Sequence, residues 1–191
     1  MTDIFSTTTA YLWAVLWIVW LVSALMSKRS VQTQSGSSRL VQGILVITAF
    51  YLLFARKTGP HWLHQRIFPE TDAALLWVGL VLTAAGLGFA ILARLWIGRN
   101  WSGTITIKEQ HELIQGGHYR IVRHPIYTGL SLAYLGTAIV YGELRGLAGF
   151  ALLLVGFGLK LRIEESFMLQ QFGNAYLDYK RRVKALVPFV V

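Results

Sequence analysis

The sequence predicts an all-α, polytopic membrane protein with about five transmembrane helices and a cytoplasmic C-terminal amphipathic helix. Three observations predict it. Of the 191 residues, 54% are hydrophobic and only 14% are charged, against about 25% charged in soluble domains. The apolar residues come in long runs free of Asp, Glu, Lys and Arg rather than at scattered periodic positions, as lipid-embedded helices require. Lys and Arg also gather on one side of those runs, as the positive-inside rule describes. The length suits a single integral membrane domain, residues 1–191. Residues 1–70 supply spans of no readable role, and residues 73–191 form the part that carries chemistry.

The uncharged runs cover residues 4–27, 40–55, 73–93, 125–142 and 146–159. A spanning helix needs about 20 residues, within a range of about 17–25, so the first, third and fourth runs qualify outright. The second is short, but Arg39 and Arg56 flank it and can snorkel toward the interfaces. The fifth is shortest and needs Lys160, with Arg162, to extend it. Only Glu143, Leu144 and Arg145 separate the last two runs, which predicts a tight helical hairpin. A four-span arrangement with a re-entrant final hairpin is the alternative. The first run does not read as a cleaved signal peptide, because it carries Asp3 rather than a basic leader and its cations Lys28 and Arg29 follow it. Trp13, Trp17 and Trp20 share one face there and read as lipid contact or helix packing.

With five spans, the segments 28–39, 94–123 and 160–184 share one side and hold 14 of the 18 Lys and Arg residues. That places the long 94–124 connection and the C-terminal tail in the cytoplasm and the N-terminus outside. The asymmetry accounts for much of the +9 formal charge through an anionic membrane surface, with no nucleic-acid partner. Cysteine is absent, which excludes disulfides, cysteine nucleophiles, thiolate zinc sites and iron–sulfur clusters. His111, His118 and His124 are spaced by seven and six, which fits no zinc motif, and no metal is expected. No serine sits in a nucleophile-elbow context.

Two segments interrupt the lipid-like sequence with dense polar groups. One runs Gly116-Gly117-His118-Tyr119-Arg120-Ile121-Val122-Arg123-His124-Pro125-Ile126-Tyr127-Thr128-Gly129. It ends at the start of the fourth span, where Pro125 suits the first helical turn and free backbone N–H groups favour an anion. The other runs Lys160-Leu161-Arg162-Ile163-Glu164-Glu165, then Phe172-Gly173-Asn174-Ala175-Tyr176-Leu177-Asp178-Tyr179-Lys180-Arg181-Arg182. Adjacent carboxylates at the end of a span need partners or solvent, and Arg162 and the arginines of the first segment can supply them. Glu165, Leu169 and Phe172 are spaced for an amphipathic surface helix. Either segment can serve merely as an interfacial anchor. Within the third span, Gly86-Leu87-Gly88 lacks a preceding strand and a third glycine. It reads as close helix packing, although such glycines also let a flat ligand approach the backbone.

Taken in order, these segments resemble the isoprenylcysteine carboxyl methyltransferase family. Its pattern Gly-x-Tyr-x-x-x-Arg-His-Pro-x-Tyr-x-Gly reads here as Gly117, Tyr119, Arg123, His124, Pro125, Tyr127 and Gly129. The later Glu-Glu pair, Phe-Gly-x-x-Tyr-x-x-Tyr and basic patch read as Glu164, Glu165, Phe172, Gly173, Tyr176, Tyr179 and Lys180 to Arg182, followed by Pro188. Upstream, His111-Glu112-Leu113-Ile114 resembles the family's His-x-Leu-Val element. The likeness covers residues 111–189. It implies a cytoplasm-facing pocket for S-adenosyl-L-methionine that involves His111, His118, Tyr119, His124, Pro125, Tyr127, Glu164 and Glu165. Related phospholipid N-methyltransferases add weight to Gly86 and Gly88 as cofactor contacts.

The implied activity is methyl transfer to the carboxylate of a lipophilic substrate, a small molecule or a prenylated peptide, with membrane lipids as the surrounding partner. A carboxylate is already ionised at neutral pH, so the reaction needs alignment, water exclusion and an orienting cation rather than a strong base. Arg123 is the expected catalytic cation, with Glu164 beside it; Arg123, Arg162, Tyr176 and Tyr179 are the expected substrate contacts. The alternatives are a phospholipid or amine N-methyltransferase, a nicotinamide-dependent sterol-type reductase, and a non-enzymatic membrane module.

Overall fold

The computed structural model describes residues 2–25, 30–33, 35–55, 59–98, 101, 106–108 and 112–188. The element order is α1 (Thr2–Ala24), β1 (Ser30–Thr33), α2 (Gly36–Phe54), α3 (Ala73–Ile97), β2 (Thr106–Lys108), α4 (Pro125–Tyr141), α5 (Leu144–Phe172) and α6 (Asn174–Arg182). Single 3₁₀ turns occupy His61–His64 and Gly117–Arg120. Among the described residues, four helices are long and apolar enough to cross a membrane: Asp3–Ala24, Gly36–Phe54, Ala73–Ile97 and Leu144–Phe172. Helix α4 has 17 residues, about 25 Å at 1.5 Å per residue, the short limit for a span.

Local sequence signals place the helix ends. The Ser35 hydroxyl accepts from Ser38 N at the start of α2, and the Asp72 carboxylate accepts from Leu75 N at the start of α3, each satisfying an otherwise orphaned donor. Pro125 occupies the first turn of α4. Gly142 ends that helix at φ 70, and a Cβ there would lie 2.9 Å from both Arg66 Nη2 and the Phe68 carbonyl, so only glycine makes this hairpin turn. Helix α5 begins two residues later and runs unbroken for 29 residues. Residues 165–172 are therefore a continuation of α5 rather than a separate surface helix.

Paired contacts show the five long helices alternating in direction. Phe5 meets Trp77 and the Ser23 carbonyl meets Arg94, so α1 runs with α3. Gly79 meets Gly136 and Gly86 meets Gly129, so α4 runs against α3. Tyr134 packs beside Gly149 and Tyr127 beside Glu164, so α5 runs against α4. Leu53 binds Arg145 and Val46 packs near Gly156, so α2 runs against α5.

Helix α4 is the centre, with ten of its residues buried. Its backbone lies so close to α3 that a Cβ on Gly86 would fall 2.5 Å from Ala133 N and from the Gly129 carbonyl, the close approach that small residues permit in membranes. The Thr83 and Thr137 hydroxyls sit 3.2 Å apart, and Trp13 Nε1 donates to Thr137 at 2.9 Å. Such intramembrane hydrogen bonds average about 0.6 kcal/mol; this trio fixes the register of α1 on the α3–α4 pair rather than supplying most of its stability.

Two buried arginines finish opposite ends of the bundle. Arg145 donates to the Leu52 and Leu53 carbonyls of α2 and to Glu143, which also meets His64 at 3.2 Å. Arg94 donates to the Ser23 carbonyl of α1 and to the carbonyl of Gly98, which caps α3, with its guanidinium 4.2 Å from the Trp101 ring centroid. Each supplies a cation at the negative end of a helix. One departure from an all-α chain is the antiparallel β1–β2 ribbon, which pairs Ser30 with Lys108, Gln32 with Ile107 and Thr33 with Thr106 and ties the α1–α2 connection to the α3–α4 connection.

Candidate active site

The end of the bundle marked by Arg94 carries the polar segments. The 3₁₀ turn Gly117–Arg120 seats Gly117, at φ 58, against Trp96, where a Cβ would fall 2.5 Å from the indole. The next residues receive the C-terminal segment as a strap: Arg123 N donates to the Lys184 carbonyl at 2.8 Å and His124 N to the Ala185 carbonyl at 3.0 Å. The Thr128 hydroxyl donates to the Leu186 carbonyl at 2.7 Å, and the Tyr179 hydroxyl to the Tyr119 carbonyl at 2.6 Å. The two N–H groups just before α4 thus hold backbone carbonyls of the strap.

Helix α5 presents two carboxylates to this corner. Glu164 accepts from the Tyr127 hydroxyl and lies 3.4 Å from His124 Nδ1. Glu165 accepts from Arg123 Nε at 2.9 Å, from Arg123 Nη2 and from Lys180 Nζ at 2.5 Å, and lies 3.4 Å from His124 Nε2. The imidazole therefore sits between two carboxylates, and the Tyr127 ring stacks against it with centroids 5.9 Å apart. Burial acts to lower the His124 pKa, but the hydrogen bonds and charges of Glu164 and Glu165 hold it above its ordinary value. Burial raises the Tyr119 hydroxyl, helped by the Glu164 charge, and raises Tyr179 to about 12. Both stay protonated donors at neutral pH.

Beside this cluster lies a cavity of about 430 Å³, within the range of about 300–1,000 Å³ typical of ligand sites. Its polar end is formed by Glu112, Tyr119, Arg123, His124 and Glu164. The cavity continues between the helices to an apolar end formed by Leu16, Trp17, Phe50, Leu130 and Phe157, while Trp20 and Trp101 stand in its wall. The cavity thus joins a charged corner to a hydrocarbon-like interior.

The structure brings together Tyr119, Arg123, His124, Tyr127, Glu164, Tyr176 and Tyr179 on the cavity wall. Pro125 is fully buried at the helix start. Other expected site residues have different surroundings. Arg123 lines the cavity with its own partners in place: Nε and Nη2 donate to Glu165, and Nη1 donates to the carbonyls of Lys180 and Val183. That leaves at most one of its five N–H donors, and the residue latches the strap to α5. Glu165 has both oxygens engaged by that latch and faces a separate outer groove with Arg162, so neither Glu165 nor Arg162 lines the main cavity. Gly86 is filled by the backbone of α4, leaving no room for a ligand. Gly88 has open space where a side chain would stand and lies off the cavity wall. His118 packs against Phe89 with centroids 5.1 Å apart, and His111 lies outside the described residues.

Sequence reasoning passed over Lys160, Glu112, Trp20 and Trp101 as site residues, all on the cavity wall. Lys160 precedes Glu164 by four residues, one turn on the same helical face, and that spacing was readable. The tryptophans needed tertiary structure.

Comparison with known proteins gives concordant matches. The phospholipid methyltransferase family pattern covers residues 74–175. A probable protein-S-isoprenylcysteine O-methyltransferase of Oryza sativa subsp. indica is 31% identical over 152 residues, spanning 77% of this chain and 80% of the rice protein. Methanethiol S-methyltransferase 2 of Bradyrhizobium diazoefficiens is 44% identical over 72 residues, spanning 37% of this chain and 26% of its own. A solved structure of the eukaryotic intramembrane Ras methyltransferase ICMT superposes with a TM-score of 0.57 at 25% identity, covering 82% of this chain. This chain spans 55% of the length of that solved chain.

Proposed function

The chain belongs to the isoprenylcysteine carboxyl methyltransferase family, and we propose that it transfers a methyl group from S-adenosylmethionine to the carboxylate of a lipophilic acceptor, such as a prenylated cysteine, at the cytoplasmic face of a membrane. The observation that carries this reading is the cavity that runs from the Glu164–His124–Tyr127 corner into an apolar interior. A soluble acceptor would have no use for that interior, and a purely structural module would have no use for the corner.

The residues present suit the cofactor. The Tyr176 hydroxyl is buried in the cavity wall beside the Arg123 guanidinium, so it adds a polar group to the charged end of the cavity. Glu164 offers an anion to a cationic sulfonium or ammonium, and Tyr119, Trp20 and Trp101 offer ring surfaces to an adenine. When bound, S-adenosylmethionine supplies a methyl group on a sulfonium: an acceptor carboxylate oxygen forms the new C–O bond as the C–S bond breaks, and the electron pair stays on sulfur. The protein's part is to hold the two partners in line and keep water out. Tyr127 and His124 fix Glu164, while Arg123, Glu165 and Lys180 close the strap over the polar end.

An amine acceptor is the competing reading within the same family. It must lose a proton before attack, and the two carboxylates beside the imidazole in this corner raise its pKa, which favours the charged form over the free base. A nicotinamide reductase would bind NADPH instead. Titrating the purified chain with S-adenosylhomocysteine and with NADPH, beside a labelled-methyl assay on a prenylated carboxylic acid, tests the proposal. Binding of the first, indifference to the second and methyl ester formation are expected; NADPH binding alone would overturn it.

A further inference from the structure

A carboxylate acceptor needs a cation beside it, and the cavity wall offers Arg123, His124 and Lys160 among the described residues. The guanidinium of Arg123 is engaged by Glu165 and by the carbonyls of Lys180 and Val183, and His124 lies between Glu164 and Glu165. Lys160 is placed differently. It stands one turn before Glu164 on the same face of α5, with its ammonium 5.5 Å from the Tyr127 ring centroid. On its other side, Phe157 belongs to the apolar end of the cavity. The ammonium therefore marks the boundary where a molecule with a hydrocarbon tail in the interior would place its polar head, facing the Glu164 corner.

We infer that Lys160 is the cation that receives the carboxylate of the acceptor, and that it selects anionic acceptors over neutral ones. This rests on the carboxyl-methylation reading above. An ammonium carries three N–H donors on a flexible stem, so it keeps its contacts within the protein and still presents a donor to a second anion. Its position below Glu164, rather than among the strap residues, separates the acceptor's cation from the groups that hold the wall. A neutral thiol or amine gains nothing from it, which makes Lys160 a selectivity device in a family whose relatives include a methanethiol methyltransferase.

The test uses the full chain and an S-prenylated mercaptoacetic acid, with its uncharged amide as control. Binding of each is measured in the presence of S-adenosylhomocysteine, together with S-adenosylhomocysteine affinity and methyl transfer. Lys160→Met is expected to weaken binding of the acid by about ten-fold or more while S-adenosylhomocysteine affinity stays within about two-fold. The amide should bind parent and variant alike, and Lys160→Arg should recover most of the acid's affinity. Failure of the parent to bind the acid, unchanged acid binding in Lys160→Met, or an equal loss for acid and amide would overturn the assignment. Loss of S-adenosylhomocysteine affinity in step with the acid would move Lys160 to the cofactor site. A parent that binds the acid through Lys160 yet transfers no methyl group would sustain the cation's role and sink the methylation reading instead.

Discussion

At the scale of single residues, the corner around His124 divides its two carboxylates by partner. Glu164 faces the cavity and is fixed by Tyr127 and His124, whereas Glu165 is bound to Arg123 and Lys180. Glu164→Gln should therefore weaken S-adenosylhomocysteine binding by the value of a charge-assisted hydrogen bond, roughly 1.5–3 kcal/mol, as read by calorimetric titration; unchanged affinity would remove Glu164 from the cofactor. Arg123→Lys, which loses the fork that reaches both Glu165 and the strap, should instead expose the 183–188 segment to limited proteolysis and lower the thermal midpoint. A stable strap in that variant would return Arg123 to the chemistry. The pH dependence follows from His124. Its pKa is raised above the ordinary value of about 6.5, so the network's contribution is fully present below about 6.5 and is lost as pH rises through the raised value. Thermal stability and S-adenosylhomocysteine affinity should both fall on the alkaline side, and His124→Gln should flatten that fall. A rise of turnover with pH over the same interval would favour an amine acceptor. The residue types of this corner were legible in the sequence because Arg123, His124, Tyr127 and the Glu pair stand in dense polar segments. Their division of labour was not, because it depends on carbonyls of residues 180 and 183 reaching back to α4 from near the C-terminus.

At the scale of elements, the runs of uncharged residues foretold the long helices, since a lipid-facing helix must be apolar over its whole length. The pattern failed at α5, where the uncharged run ends at Leu159 but the helix continues to Phe172. Charged residues do not stop a helix; Gly173, at φ 52, does. It also missed the β1–β2 ribbon, whose short strands lie far apart in the chain and carry no alternation long enough to read. The choice between packing and ligand contact at Gly86 and Gly88 was equally closed to sequence, because the two glycines differ only in what faces them across the bundle. That difference is measurable. Gly86→Val drives a side chain into the α4 backbone, and overpacking of this kind costs about 1–3 kcal/mol. Gly88→Ala meets nothing within 4 Å. The first variant should lose thermal stability in detergent and the second should keep it. Equal behaviour of the two would show that the α3–α4 contact is looser than these distances.

At the scale of the whole molecule, the order of the helices, the position of the site and the distribution of charge constrain one another. The five long helices alternate in direction, so the connection after α1, the connection between α3 and α4, and the end of α5 all lie at the Arg94 end of the bundle, with the cavity's polar corner. The same three segments hold 14 of the 18 basic residues. The opposite end gathers His64, Arg66, Glu143 and Arg145, where Glu143 offsets the buried arginine and Glu70 pairs with Arg66 at 2.6 Å. Short loops rich in Lys and Arg stay in the cytoplasm, so the site end is expected to face the cytosol, the N-terminus to face away, and α4 to cross despite its 17 residues. Crossing is reasonable for so short a helix because ten of its 17 residues are buried by neighbours, leaving few to match the lipid. A reporter fused after Val191 and another placed before Thr2 should then read on opposite sides of the membrane, with the C-terminal one cytoplasmic. If both read on the same side, α4 and α5 do not each cross, and the short helix is re-entrant. If the C-terminal reporter reads outside, the polar corner faces away from the cytosol and its supply of S-adenosylmethionine, and the proposed methyl transfer fails on access alone.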